Sequence, residues 1–226
     1  MARLVRFWKP WGVLSQFTDR EGRPTLADYI DVPDVYAAGR LDMDSEGLLL
    51  LTDSADLKTR IADPRHHMRK TYLALVEGVP TPEQLAALRN GVMLRDGRAR
   101  ALSVDVVSEP TLPPRDPPPA PRIGRETAWV RIVVDEGRNR MVRRMLAHAG
   151  TPVLRLVRER IGDFTLRDLT PGKWAVETLH APTSDAVSRA LHARASRPPQ
   201  RDRRSGTRSS GRRRSGAPSS RTPRES

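Results

Sequence analysis

The chain of 226 residues contains no cysteine. A disulfide framework, a thiolate nucleophile and a cysteine-ligated zinc are therefore excluded. Aromatic residues are scarce, with 4 Trp, 3 Tyr and 3 Phe. No apolar run approaches the ~20 residues of a membrane helix. The first residues, Met1-Ala2-Arg3-Leu4-Val5-Arg6-Phe7-Trp8-Lys9-Pro10, lack the apolar centre of a signal peptide. A cytoplasmic protein without membrane association is the expectation. His66 and His67 are adjacent but have no partner at the i, i+4 spacing of a helical metal site, so no metal is expected.

What is abundant is positive charge. A net charge of +13 points to a polyanionic partner. Its placement is uneven. Residues 195–226 carry ten arginines against Asp202 and Glu225, a net +8, which leaves +5 for residues 1–194. From about His180 the composition turns to Arg, Ser, Pro and Gly. Such a segment cannot bury a core and is expected to be disordered. As an arm it would add salt-sensitive, sequence-independent affinity for a nucleic acid. The expected boundaries are a domain over 1–182 and a tail over 183–226.

Within the domain, Leu4 to Trp8 reads as a strand that Pro10 and Gly12 break. Thr25 to Ile30 reads as a short helix with Thr25 as N-cap and Asp28 at the third position. Asp53 or Ser54 can cap a helix to about Ala62, which Asp63-Pro64 stops. Lys70 to Gly78 is a strand of aromatic and aliphatic residues. Thr81-Pro82-Glu83-Gln84 is a capping box with Pro at the first helical position, and Asn90-Gly91 ends that helix. Leu102, Val104 and Val106 alternate with polar residues as in a half-buried strand. The proline-rich stretch from Pro110 to Pro121 cannot join a sheet centre. It reads as a surface loop over about 109–127, with an interdomain linker as the alternative. Trp129 to Val134 is a strong strand. Gly137 then turns into a helix ending near Gly150, whose apolar face is Met141, Val142, Met145, Leu146 and Ala149. Arg140, Arg144 and His148 lie opposite. Arg143 lies on the flank, where it can reach a buried carboxylate that spacing does not identify.

The densest chemistry lies in Gly39-Arg40-Leu41-Asp42-Met43-Asp44-Ser45-Glu46-Gly47-Leu48-Leu49-Leu50-Leu51. Four leucines closed by Thr52-Asp53 suit a strand buried on both faces, or a short core helix; length and flanking turn signals favour the strand. Charges beside a buried element line a cleft or cap a turn, because unpaired burial is costly. On residue type alone, turn chemistry is the commoner use of Asp and Gly beside a strand.

This segment resembles the active-site motif of the ribosomal pseudouridine synthases of the RsuA type. Lys9-Pro10-Trp11-Gly12-Val13 is similar to the first motif of that family, Lys70-Thr71-Tyr72 to its second signature, and Glu136-Gly137-Arg138-Asn139-Arg140-Met141-Val142-Arg143-Arg144-Met145 to its third. Met141 stands where the family usually has Gln. Val153–Val157, Ile161–Phe164 and Leu169–Trp174 match its closing strands. The resemblance covers roughly residues 4–179. No S4-like segment is expected before Lys9, and this, with Gln16-Phe17-Thr18-Asp19 and Val35-Tyr36-Ala37-Ala38-Gly39-Arg40-Leu41-Asp42, likens the chain to the S4-less RluE branch acting on large-subunit ribosomal RNA.

The resemblance implies an α+β fold, with a mixed and mostly antiparallel sheet in two subdomains around a catalytic cleft. It implies isomerisation of uridine to pseudouridine in ribosomal RNA by a monomer without cofactor. Asp42 would be the essential catalytic residue, Tyr72 would pack on the flipped base, and Arg143 would pair with Asp42. Arg40, Lys9, Lys70, Arg138, Arg140 and Arg144 would contact RNA. The alternatives are the same reaction on small-subunit RNA, or a non-catalytic RNA-binding assembly factor.

Overall fold

The computed structural model describes residues 2–179; the tail expected over 183–226 lies outside them. The elements in chain order are strand β1 (Ala2–Lys9), β2 (Tyr36–Ala37), β3 (Glu46–Thr52), helix α1 (Ala55–Ala62), β4 (Lys70–Glu77), α2 (Pro82–Asn90), β5 (Val92–Leu94), β6 (Gly97–Ala99), β7 (Ser103–Val107), β8 (Thr127–Val134), α3 (Met141–His148), β9 (Val153–Ile161), β10 (Phe164–Thr165) and β11 (Trp174–Leu179).

One large sheet runs β11-β1-β3-β9-β4-β8-β7, with β2 on β3 and β10 on β9. Every pairing in it is antiparallel except β3 with β9. That parallel seam has only two partner pairs, Glu46 with Val157 and Gly47 with Arg158. It joins two antiparallel halves, each with its own core. On the β1–β3 side, Leu48 and Leu50 pack with Leu4, Ala38 and Ile61 on one face. Leu49 and Leu51 pack with Val5, Phe7 and Leu26 on the other. The leucine run is therefore a strand buried on both faces, as its length predicts. On the other side β4 and β8 are covered by α2 and α3.

The helix ends follow the expected cap chemistry. Ser54 Oγ accepts from Leu57 N at the start of α1, and Thr81 with Gln84 forms the capping box of α2. The Thr25 cap and its Asp28 partner are present, but the element is one 3-10 turn over Leu26–Asp28, not a helix to Ile30. All four leading apolar residues of α3, Met141, Val142, Met145 and Leu146, are buried.

Two strand expectations need correcting. Val104 is buried, while Leu102 and Val106 are exposed, because β7 is the sheet edge and only Val104 meets the core beneath α2. The β5–β6 hairpin, whose two-residue loop is Arg95-Asp96, has no counterpart in the sequence reading, although Asp96-Gly97 just after Val92-Met93-Leu94 is a turn signal. The proline-rich stretch connects β7 to β8, which pair with each other throughout β7.

Candidate active site

The segment 38–45 enters β3 at the seam and is held from both sides. Ser15 Oγ donates to the carbonyl of Leu41 at 2.7 Å and accepts from its N–H at 3.1 Å. Ser45 N–H donates to Asp42 O at 3.0 Å, closing a turn that presents the Asp42 side chain outward. Gly12 N–H donates to Met43 O at 2.8 Å. Gly12 has a φ of +79°, a conformation that suits glycine, so the Pro-Gly turn after β1 serves as a brace for the Asp42 loop.

Lys9 belongs to that brace and is not an RNA contact. It is fully buried, and its Nζ donates to the carbonyls of Val13 at 2.7 Å, Pro10 at 2.8 Å and Met43 at 3.5 Å. The apolar position of β1 leaves its ammonium no route to solvent. Burial, and secondarily the Arg158 charge, push its pKa down to about 7.

Asp42 opens into a cleft of about 100 Å³ whose walls include Arg40, Tyr72, Arg138, Arg140 and Arg158. Tyr72 is buried within β4, at the cleft wall. Lys70, at the start of β4, also lines the cleft; its Nζ donates to Met68 O at 2.9 Å, and burial lowers its pKa to about 8. Among the described residues the exposed Arg40 side chain has no hydrogen-bond or ion-pair partner.

The structure changes the expected partnership of Arg143. Its Nη2 donates to the Asp44 carbonyl at 2.7 Å and to Ser45 Oγ at 3.3 Å, its Nη1 donates to Val153 O at 3.3 Å, and its Nε lies 3.5 Å from Asp44 Oδ2. Asp42 instead faces Arg140, Nη1 to Oδ2 at 3.9 Å, and among the described residues no other cation lies within ion-pair distance of it. Arg140 also grips Asp44 through two 2.8 Å bonds. The reason is geometric. Arg140 precedes α3 in a left-handed conformation, φ +49°, which turns it toward the Asp42 loop, whereas Arg143 reaches only the far side of that turn. Burial opposes the charge on Asp44, but the Arg140 hydrogen bonds and the Arg143 charge outweigh it and hold its pKa below the ordinary carboxylate value.

Two expected RNA contacts are committed to the protein. Arg138 binds Asp96, Glu136 and the carbonyls of Gly97 and Arg98, and Arg144 makes a bidentate pair with Asp96 at 2.7 and 2.8 Å. Both lock the β5–β6 hairpin to the α3 entry. The sequence reading also missed Ser15, Arg155 and Arg158. The signal for the last two was partial: both stand among the apolar Val153, Leu154, Leu156, Val157 and Ile161, but the same segment also holds Glu159 and Arg160.

Residues 3–148 match the family model described as RNA pseudouridylate synthase. The chain belongs to the RNA pseudouridylate synthase family. It is 51% identical over 172 residues to the protein named ribosomal large subunit pseudouridine synthase E of Vibrio vulnificus, covering 76% of this chain and 74% of that one. It is 53% identical over 181 residues to the Xanthomonas campestris protein of the same name, covering 79% and 97%. A protein named ribosomal large subunit pseudouridine synthase B, of Bacillus subtilis, is 34% identical over 172 residues, 73% of this chain and 64% of that one. A solved structure described as a crystal structure of pseudouridylate synthase matches with a TM-score of 0.64 and 28% identity, covering 84% of this chain and 74% of that one. The family fold is thus the one observed, two antiparallel halves meeting at the seam that carries the cleft.

Proposed function

We propose that this chain isomerises a specific uridine of large-subunit ribosomal RNA to pseudouridine, with Asp42 at the reacting centre. The observation that carries the reading is the placement of Asp42 at the mouth of a cleft with Tyr72 in its wall and Arg140 Nη1 3.9 Å from its carboxylate. The names of the relatives support the large subunit as substrate.

In the reaction the N1–C1′ bond breaks, the uracil turns, and C5 bonds to C1′. The base must first leave the stack. Arg40, exposed in the cleft lining, contacts an adjacent phosphate or fills the gap in the helix. Tyr72 supports the extruded base; an aromatic face contributes ~1–3 kcal/mol to such stacking. Asp42 meets the positive charge that develops at C1′, as nucleophile or as electrostatic partner. Arg140 and Arg143 hold the loop that aims it, through Asp44 and the turn backbone.

The test is site mapping. Unmodified ribosomal RNA of both subunits is incubated with the protein or with Asp42→Asn, and carbodiimide adducts are read by primer extension. One new stop in large-subunit RNA, absent with Asp42→Asn, is expected. A stop only in small-subunit RNA would move the substrate. No stop on free RNA or on partly assembled particles, despite tight binding, would favour an assembly factor.

A further inference from the structure

Arg158 is a buried cation with an unused donor at the wall of the cleft. It is 3% exposed. Its Nε donates to Leu48 O at 2.8 Å and its Nη1 to Arg40 O at 3.3 Å, but Nη2 is inaccessible and has no hydrogen-bond partner. Among the described residues no carboxylate lies within ion-pair distance of it. Its neighbour on β9, Arg155, is equally buried but is neutralised by two bonds that it donates to the Glu46 carboxylate. A buried guanidinium left without a counter-charge is costly. A folded chain keeps such a group where something negative arrives during function.

Its surroundings narrow what arrives. The guanidinium carbon lies 6.0 Å from the centre of the Tyr72 ring, and Arg158 lines the same cleft as Tyr72 and Asp42. A further cation of the same lining, Lys70, lies close enough for the charge of Arg158 to depress its pKa in addition to the larger effect of burial. The lining that holds Tyr72 therefore also holds Arg158 and Lys70, while Asp42 and Glu136 are its carboxylates.

We propose that Arg158 stabilises the detached uracil as an anion, taking up the charge that leaves C1′ with the base. The inference rests on the isomerase reading above. When the N1–C1′ bond breaks, its electron pair stays on the uracil and is spread over N1 and the flanking carbonyl. The positive charge left at C1′ is met by Asp42. The electrons of the C5–C6 double bond then form the C5–C1′ bond, C5 gives up its proton, and N1 gains one. Between the two bond events the base carries a full negative charge, in a site where a fixed cation costs no reorganisation. Arg158 cannot move far, since its Nε and Nη1 are tied to two backbone carbonyls, so it stands ready before the base enters.

The experiment compares single-turnover rates on RNA carrying uridine or 5-fluorouridine at the target, for the wild type, Arg158→Lys and Arg158→Gln. Fluorine withdraws electrons, so 5-fluorouracil leaves more easily as an anion and depends less on a cation beside it. Consumption of the nucleoside is read by mass spectrometry after nuclease digestion. Arg158→Gln should slow the uridine substrate by ~10²-fold, the usual loss when one anion-stabilising donor is removed. It should slow the 5-fluorouridine substrate markedly less. Arg158→Lys, which keeps the charge, should show the wild-type ratio between the two substrates even if its absolute rates fall. Arg158→Met, also uncharged, carries the test if the Gln protein does not fold, and should show the same larger loss on uridine than on 5-fluorouridine. Equal losses on both substrates in the uncharged variant would mean that Arg158 only shapes the loop, and would overturn the proposal. So would a loss confined to RNA affinity, measured in the Asp42→Asn background, which would mark a phosphate contact. Failure of the wild type to act on either RNA would strike the isomerase reading instead.

Discussion

Glu46 and Arg155 form a doubly hydrogen-bonded ion pair, at 2.7 and 3.0 Å, sealed inside the sheet. Glu46 is the first residue of β3 and pairs with Val157, so the ion pair sits beside the two-residue parallel seam. Arg155 also donates to Pro113 O at 2.9 Å, tying the proline-rich loop to the same point.

Removing one partner strands a buried charge. Glu46→Gln or Arg155→Met should lower unfolding free energy by ~3–5 kcal/mol, whereas the double change Glu46→Leu/Arg155→Met should recover much of it. Urea denaturation measures all three. Single variants within the experimental error of the wild type would show that the seam does not depend on this pair.

The same logic separates Arg140 from Arg143. Arg140→Met removes the cation facing Asp42 and releases Asp44. It should reduce kcat by ~10²-fold, the scale expected when a reacting group shifts by about 1 Å. Arg143→Lys should also lose activity, because a single ammonium cannot reproduce its forked contacts to Asp44, Ser45 and Val153. Near-normal turnover by Arg140→Met, with activity lost only at Arg143, would contradict the pairing seen here.

Stability should rise with pH above neutrality. Lys9 has a pKa near 7 in the folded chain against 10.5 ordinarily, and Lys70 about 8 against 10.5. Between those values the unfolded chain binds more protons than the folded one, so unfolding free energy increases with pH. Below about pH 7 both states are protonated and the dependence vanishes. Denaturation at pH 7 and pH 10 should show the increase, and Lys9→Met should flatten it. An unchanged slope in that variant would place the ammonium in a less costly environment than its burial indicates.

Gly47 allows the seam to close. Its φ is +107°, and a Cβ would stand 2.6 Å from the backbone nitrogen of Arg158 and nearer still to its carbonyl oxygen. Gly47→Ala should cost more than the ~1–3 kcal/mol of an unfavourable backbone conformation alone, since two strands must also separate. A thermal midpoint close to the wild type would show that the seam tolerates opening.

Much of the fold was legible because it depends on near neighbours. The leucine run, the Ser54 and Thr81 caps and the apolar face of α3 are set by local periodicity and side-chain hydrogen bonds within a few residues. The edge position of β7 was not legible, because exposure of Leu102 and Val106 depends on which strand lies beyond it. At the candidate site, the motif residues Asp42 and Tyr72 could be singled out by resemblance, and the structure brings both to one cleft.

By itself, then, the sequence determined most of the element types, the motif residues that resemble the family's and the family to which the chain belongs. Only the tertiary structure decided what each charge does. Lys9 is a brace, Arg138 and Arg144 hold a hairpin, Arg140 rather than Arg143 faces Asp42, and Arg158 at the cleft wall has no carboxylate partner among the described residues. Burial and partnership arise between distant segments, 40 residues apart for Arg138 with Arg98 and 110 for Arg158 with Leu48, and an arginine reads the same in the sequence whether its partner is a carboxylate, a carbonyl or a substrate still to arrive.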